Sequence, residues 1–558
     1  MLLWWDAVAW PYVAALWIKN LVLSLGAYHA AAWVYRRTAA APAHVEEGRS
    51  RPWPLLLAIG GLGLALRFVG ADVIPPGLWF DPALQARAAL ENPGQLPWIG
   101  ATPLEPGAPF NRELVSYAYL HFYDAVFRVF GRGELGFTSL SAVPGALAPA
   151  AVAWLVWEAF GLRASLAAAL VASVGLWPLI FSRWGYTSTA MVALQLTALA
   201  ATLAALRTGR RSLALLAGVL VGLSFHTHSS SGPTALGLLV FSLLLLRERA
   251  VRRLVFVAWL GVGMGWAPFA WGLVQHPDKI GGRMRDVPLG SENADVPTPR
   301  APDASLIARL SSNVWQYTGL PLWTADPNPR HALPQSPPYG PLFGAAALIG
   351  IAVSVRGASR RRGELLLLLA LGASLATGVL SNSGPAPSTI RTCLACALGA
   401  AFAGVALSRW AELLRRRVRP AVALSLAASA GFATDALPAL VAWPDHPFVR
   451  NHFCPAESEL GKLRRELADS PSYVEPGALR YPLVFESLAA PLDASVPMVR
   501  ALMSSPEDLA GAPPPAPFWY VARSAGLNRL SSYGFRCARG VAIGPRRQDL
   551  VIARVAPP

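Results

Sequence analysis

An aspartate just beyond an apolar run of membrane length, flanked by tryptophan and phenylalanine, is placed to take a proton at a membrane–water boundary. Asp81 is that residue, in the stretch Val73–Gln95, VIPPGLWFDPALQARAALENPGQ. Charged groups beside a membrane span are costly and tend to be functional. A carboxylate within hydrogen-bond reach of an acceptor hydroxyl is a general base. The Asp81-Pro82 pair also makes a good N-cap and first residue for a helix. The two roles are compatible.

Four further constellations carry polar chemistry. Phe181–Tyr186 reads FSRWGY, and Arg183 there offers a guanidinium that matches phosphate oxygens in pairs, or simply snorkels to the interface. His226-Thr227-His228 ends an apolar run. Alternate residues do not share a helix face, so the two histidines make a poor metal pair on a helix; an extended end-segment could make them one, but lining a polar pocket is the better role. Ala325–His331, ADPNPRH, is a Pro-stiffened loop that can present Asp326, Asn328, Arg330 and His331 to a ligand, or form an ordinary surface turn. Arg391 lies slightly inside an apolar run after PAPST, where an arginine normally pairs with something; a phosphate and Asp326 are the candidates, with snorkelling as the alternative.

The elements that must position these residues are membrane helices. The chain of 558 residues is 54% hydrophobic and 14% charged, against about 25% charged in soluble domains. Apolar runs of roughly 17 residues or more recur along the first 440 positions, so the chain reads as an all-α polytopic membrane protein. About twelve candidate spans fall at 9–35, 54–71, 136–159, 164–182, 187–206, 211–228, 231–247, 254–274, 340–355, 364–380, 388–408 and 420–441. The net charge of +16 would suit nucleic acid, but the arginines cluster in short loops between apolar runs. Arg207, Arg210 and Arg211, Arg360, Arg361 and Arg362, and Arg415, Arg416 and Arg417 are examples. This is the positive-inside signature, and it excludes a groove-binding patch.

Alternation then places the loops 72–135 and 275–339, the turns near 182–186, 228 and 381–388, and the tail from 442 on the opposite, exoplasmic face. All five constellations share that face. In the first loop, Pro82–Glu91 and Glu113–Phe130 read as interfacial helices, with Tyr117, Phe122, Tyr123, Phe127 and Phe130 suited to the headgroup layer. The tail 442–558 reads as a small α+β exoplasmic domain, with a polar helix over Glu457–Ala468 and strands over Phe518–Ala522 and Leu550–Val555. Cys393 and Cys396 read as core packing, whereas Cys454 and Cys537 could pair in an exported tail. There is no GxxxxGK[ST], GxSxG or HExxH, so any transferred group must arrive already activated.

In this order the motifs resemble the GT-C class of membrane glycosyltransferases, and in particular bacterial glycosyltransferase family 39, with its protein O-mannosyltransferase-like and aminoarabinose-transferase-like members. The similar segments are Pro75–Asp81, Phe181–Tyr186, Gly222–His228, Asp326–Pro338 and Pro385–Arg391, across residues 54 to 410. The resemblance implies a GT-C-like bundle over 54–441, with residues 1–36 an extra N-terminal span outside a family core of about eleven. It implies an exoplasmic aspartate that activates the acceptor, matched by Asp81. It implies a donor sugar on polyprenyl phosphate, with Arg183, Arg330 and Arg391 matching positions that hold the phosphate. Tyr186, His228, Asp326, Asn328 and His331 fall in the same substrate-binding segments. Pro82 stands where the family commonly has a second acid, and His226-Thr227-His228 where relatives often show Tyr-Thr-Tyr.

The expectation is therefore an inverting glycosyltransferase, hexosyl or pentosyl, of the cell inner membrane. Its partners would be a polyprenyl-phosphate-linked sugar, membrane lipids and an acceptor protein, lipid or glycan, with no nucleic acid. No cofactor is assigned, and a divalent metal is left open. The alternatives are a multi-span secondary transporter, for which internal repeats and mid-membrane broken helices are the sign, and a noncatalytic member of the same class.

Overall fold

In the computed structural model, the described residues are 53–91, 96–103, 114–276, 305–381, 386–415, 417–453, 455–466, 470–476, 478–479, 484–486, 501–538, 541–543 and 547–558. The expected first span, the middle of loop 275–339 and Cys454 lie outside them.

A helical bundle forms from α1 (Trp53–Phe68), α4 (Glu134–Phe160), α5 (Leu162–Val174), α6 (Leu176–Phe181), α7 (Ser188–Thr208), α8 (Arg211–Ser224), α9 (Gly232–Leu245), α10 (Arg252–Gln275), α12 (Pro341–Gly357), α13 (Arg362–Val379), α14 (Cys393–Leu414) and α15 (Val422–Asp445). Between these run α2 (Phe80–Glu91), a short hairpin of β1 (Ala101–Pro103) and β2 (Leu114–Ser116), α3 (Tyr117–Phe130) and α11 (Leu306–Thr318). Among the described residues, six helices are long and apolar enough to cross a membrane, α4, α7, α10, α13, α14 and α15, and shorter apolar helices accompany them. The chain is a mostly helical, multi-pass membrane protein.

Several boundaries differ from the sequence reading for physical reasons. The run 164–182 is broken at Gly175, whose extended backbone (φ −62°, ψ 145°) separates α5 from α6. The expected helix over 113–130 begins only at Tyr117, because 114–116 pair as β2. In α3, Tyr123 and Phe127 turn into the protein rather than the headgroup layer, and Tyr119 is buried with them. An aromatic stripe at helical spacing serves either environment, and here α2 supplies the protein surface that covers it.

Packing within the bundle depends on close backbone approach. A Cβ on Gly218 or Gly222 would stand 1.8 Å or 2.5 Å from carbonyl oxygens of α10, and one on Gly261 or Gly265 would meet carbonyls of α8 at 2.5 Å or 2.4 Å. These are two facing small-xxx-small pairs, the pattern by which membrane helices gain contact without a hydrophobic driving force.

After α15 come α16 (Pro447–His452) and α17 (Pro455–Glu466), then a six-stranded sheet ordered β4-β3-β5-β8-β6, with β7 also on β8. Its strands are β3 (Ser472–Val474), β4 (Ala501–Met503), β5 (Phe518–Arg523), β6 (Arg536–Cys537), β7 (Val541–Ile543) and β8 (Arg547–Ala556). The two strands read from sequence are β5 and β8, an antiparallel pair at the sheet's centre. Phe518 to Ala522 are all buried, which is why that run is continuously apolar rather than alternating. The helices α18 (Pro506–Gly511) and α19 (Ser524–Ser532) pack against the sheet.

Candidate functional site

Asp81 lies in the first turn of α2, one residue after its start. The segment before it is held by the C-terminal part of the chain. Gly77 adopts φ +109°, and a Cβ there would stand 2.2 Å from the Phe453 carbonyl oxygen. Only glycine meets both conditions. The Leu78 N–H donates to Ser458 Oγ at 3.0 Å. Further along the same layer, Arg87 pairs with Glu486 at 3.6 Å, and Lys462 lies 2.5 Å from Glu134.

The Asp81 carboxylate accepts from Trp79 Nε1 at 2.8 Å through Oδ2. Arg330 Nη1 lies 3.6 Å from the same oxygen, and its guanidinium stacks 3.9 Å over the Trp79 ring. Both side chains keep some exposure, 24% for Asp81 and 17% for Arg330. They can therefore meet a ligand. Arg330 is aimed by Asn328, whose Oδ1 accepts from Arg330 Nε at 3.0 Å and from its backbone N–H at 3.1 Å.

The loop is anchored by Asp326, which is buried. Its Oδ1 accepts from Asn328 N at 2.8 Å, and its Oδ2 accepts from Thr389 N and Thr389 Oγ1, both at 2.7 Å, with His331 Nδ1 at 3.1 Å. Burial opposes ionisation of Asp326, but His331 and the N–H donors outweigh it and hold the carboxyl below its usual range. Burial pushes the His331 imidazole down, although Asp326 pulls the other way. The consistent state is an ionised Asp326 accepting a proton-bearing Nδ1–H from a neutral His331.

An aromatic ladder continues from His331. Its ring lies 5.1 Å from Trp184, which stacks on Tyr186 at 4.6 Å, and Tyr186 meets His228 edge-on at 5.6 Å. His228 Nδ1 accepts from Ser230 N at 3.1 Å. His226 does not join it. Its Nδ1 faces Ser116 Oγ at 2.6 Å and its Nε2 the Gly265 carbonyl at 2.8 Å, so it ties the β-hairpin to α8 and α10. The histidines therefore make no metal pair.

The structure thus brings Asp81, Arg330, Asn328, Asp326, His331, Tyr186 and His228 into one connected site. Arg391 donates Nη1 to Ser381 Oγ; Asp326 is taken by Thr389 and His331 instead. Arg183 is the exception. It is fully buried and donates Nη2 to the carbonyls of Leu66 and Val69, so it neither snorkels nor opens to the cluster. It straps the end of α1, next to a second buried arginine that sequence reasoning missed. Arg67 donates to the carbonyls of Gly63 and Ala172 at 2.8 and 2.9 Å. An arginine near a helix end reads as an interface residue, and nothing local marks it as buried. Tyr123, also read as an interface residue, donates its hydroxyl to Gln85 at 3.1 Å beneath the Asp81 turn. Burial first, and then the Asp81 charge, raise its pKa and keep it a neutral donor.

This bundle, with its polar cluster at one end and a sheet-bearing tail folded over it, has the GT-C glycosyltransferase fold. The particular likeness is to ArnT from Cupriavidus metallidurans. The structure bound to undecaprenyl phosphate and the apo structure each match at TM-score 0.60 and 14% identity, covering 90% of this chain and 98% of that one. An Archaeoglobus fulgidus oligosaccharyltransferase matches at TM-score 0.49 and 15% identity, over 78% of this chain and 61% of that one. No protein-family model and no curated protein matches the sequence.

Proposed function

We propose that this chain is an inverting membrane glycosyltransferase that moves a sugar from a polyprenyl-phosphate donor to an acceptor hydroxyl on the exoplasmic face of the cell inner membrane. The observation that carries the reading is the Asp81–Arg330 juxtaposition, a carboxylate and a guanidinium 3.6 Å apart and both partly exposed. Transfer to an alcohol needs a base for the incoming hydroxyl and a cation for the leaving phosphate.

The acceptor oxygen attacks the anomeric carbon as its proton passes to Asp81. The bond between that carbon and the phosphate oxygen breaks, and the electron pair leaves with polyprenyl phosphate. Charge grows on the phosphate, and Arg330 is the group placed to receive it, because a guanidinium fork fits phosphate oxygens bidentately. A single displacement inverts the configuration. Asp81 does this without a neighbouring acid, since Pro82 follows it. Arg391, two residues after the Thr389 that binds Asp326, is proposed to bind donor alongside Arg330. For Arg183 the geometry supports a strapping role. A hexose or a pentose, on a protein, lipid or glycan acceptor, fits this chemistry equally.

Titrating undecaprenyl phosphate into the purified chain in lipid nanodiscs tests the donor half. Saturable binding that Arg330→Ala weakens about tenfold is expected, as for loss of one charge-assisted hydrogen bond. Binding unchanged by that substitution would remove Arg330 from the donor site.

A further inference from the structure

The last span carries a carboxylate that the proposed reaction does not use. Asp435 lies inside α15 and is fully buried. Its Oδ2 accepts from the backbone N–H of Leu176 at 3.1 Å and of Gly340 at 3.0 Å, while Oδ1 accepts from Thr434 Oγ1 at 2.8 Å. Leu176 begins α6, and Gly340 immediately precedes α12. N–H groups at helix starts have no carbonyl within their own helix, and a carboxylate suits them. A Cβ on Gly340 would stand 2.2 Å from Asp435 Oδ1, so only glycine allows this approach.

Eight residues further on, Trp443 is also fully buried and donates Nε1 to the Pro329 carbonyl at 2.8 Å. Pro329 immediately precedes Arg330, and Gly340 closes the same loop. Trp177 N adds a bond to the Pro338 carbonyl at 2.8 Å. Both ends of the stretch 329–340 are therefore tied to one helix.

That helix is wound to make this possible. In an unbroken α-helix, Trp443 would sit about 80° around the axis from Asp435. Here two π-turns, Phe432–Ala436 and Pro438–Ala442, widen the winding. Asp435, Ala439 and Trp443 are all fully buried and fall on one face. π-turns recur at functional sites, and a buried aspartate in an apolar span is expensive unless it serves a purpose.

We propose that Asp435 and Trp443 are positioning residues, a two-point clamp by which the final span sets Arg330 against Asp81. The proposal rests on the reading of Arg330 as a donor-phosphate ligand. It also assigns the π-turns a purpose, since they bring the two clamp points into register.

The test uses the full chain in nanodiscs. Trp443→Phe keeps the ring and removes the N–H, and Asp435→Asn keeps the size and removes the charge. Hydrogen exchange across 326–340 and undecaprenyl phosphate affinity are measured for each, alone and combined with Arg330→Ala. Each variant should raise exchange in 326–340 by ~5-fold or more, with β5 and β8 unchanged. Each should weaken undecaprenyl phosphate binding about tenfold in the wild-type background and have no further effect once Arg330 is alanine. Unchanged exchange across the loop, or losses that add to that of Arg330→Ala, would overturn the clamp. Should the wild type itself not bind undecaprenyl phosphate, the donor reading fails, and the exchange result alone decides the clamp.

Discussion

Arg330 meets three partners at once: a ring face under it, a carboxylate beside it and an amide oxygen behind it. Each uses a different property of the guanidinium. The plane stacks on Trp79, the charge faces Asp81, and Nε–H is fixed by Asn328. A lysine keeps only the charge. Arg330→Lys should therefore lose roughly tenfold or more in kcat/KM for transfer, about 1.4 kcal/mol, and fail to rescue Arg330→Ala. A lysine variant with wild-type kinetics would reduce Arg330 to a point charge.

The neighbouring Asp326–His331 pair gives a pH dependence of definite sign. The folded chain holds His331 neutral, with its pKa below the ordinary 6.5. The unfolded imidazole takes up a proton first as pH falls, so stability drops below about pH 6.5. The Asp326 pKa is held below 3.8, so its contribution is present above that value and is lost at lower pH. Thermal unfolding between pH 7 and 5 should show the first loss, and His331→Gln should reduce it. Stability that rises on acidification over that interval would contradict the neutral-imidazole assignment.

At the scale of elements, the turn that presents Asp81 is shaped from outside itself. Gly77 is pinned under the Phe453 carbonyl with a positive φ, and Leu78 is held by Ser458. Gly77→Ala should destabilise the fold by roughly 1–3 kcal/mol and lower transfer through Asp81. A thermal-shift measurement alongside the kinetic assay checks both, and an alanine variant with unchanged midpoint would show that the close approach is not needed.

Much of this layer was legible. The stiff ADPNPRH loop follows from turn chemistry, and so does the short helix up to Glu91, although it begins at Phe80 and takes Asp81 into its first turn instead of using it as the N-cap. What holds them was not. Phe453 and Ser458 lie some 380 positions from Leu78, and no local pattern announces so distant a partner. Tyr123 and Phe127 were misread because one aromatic stripe fits a lipid headgroup layer and a protein interior equally well. Asp435 did leave a signal, an acid inside an apolar span. The glycine pairs of α8 and α10 also stand in the sequence as GVLVG and GVGMG.

At the scale of the molecule, the bundle gathers residues from five separated segments into one connected cluster. The hydrophobic runs made the helical bundle readable, because span length is set by the bilayer and not by tertiary contacts. The joining of Asp81 to Arg330, and of Asp326 to Thr389, depends on packing between remote helices, so it appears only in three dimensions. Arg183 shows the limit from the other side. Its motif was recognised, but its Nη2 donates to the carbonyls of Leu66 and Val69, at and just past the end of α1, and its buried Nε and Nη1 have no partner among the described residues.

The central claim is that Asp81 takes the acceptor's proton. The direct measurement is transfer from a labelled polyprenyl-phosphate sugar by nanodisc-embedded wild type and Asp81→Asn, at saturating donor. Loss of a general base costs about 10²–10⁴-fold in rate. Asp81→Asn should show that loss while inserting normally and binding undecaprenyl phosphate with wild-type affinity or better, because Arg330 is released from its carboxylate partner. Turnover by Asp81→Asn within a few-fold of wild type would contradict the claim.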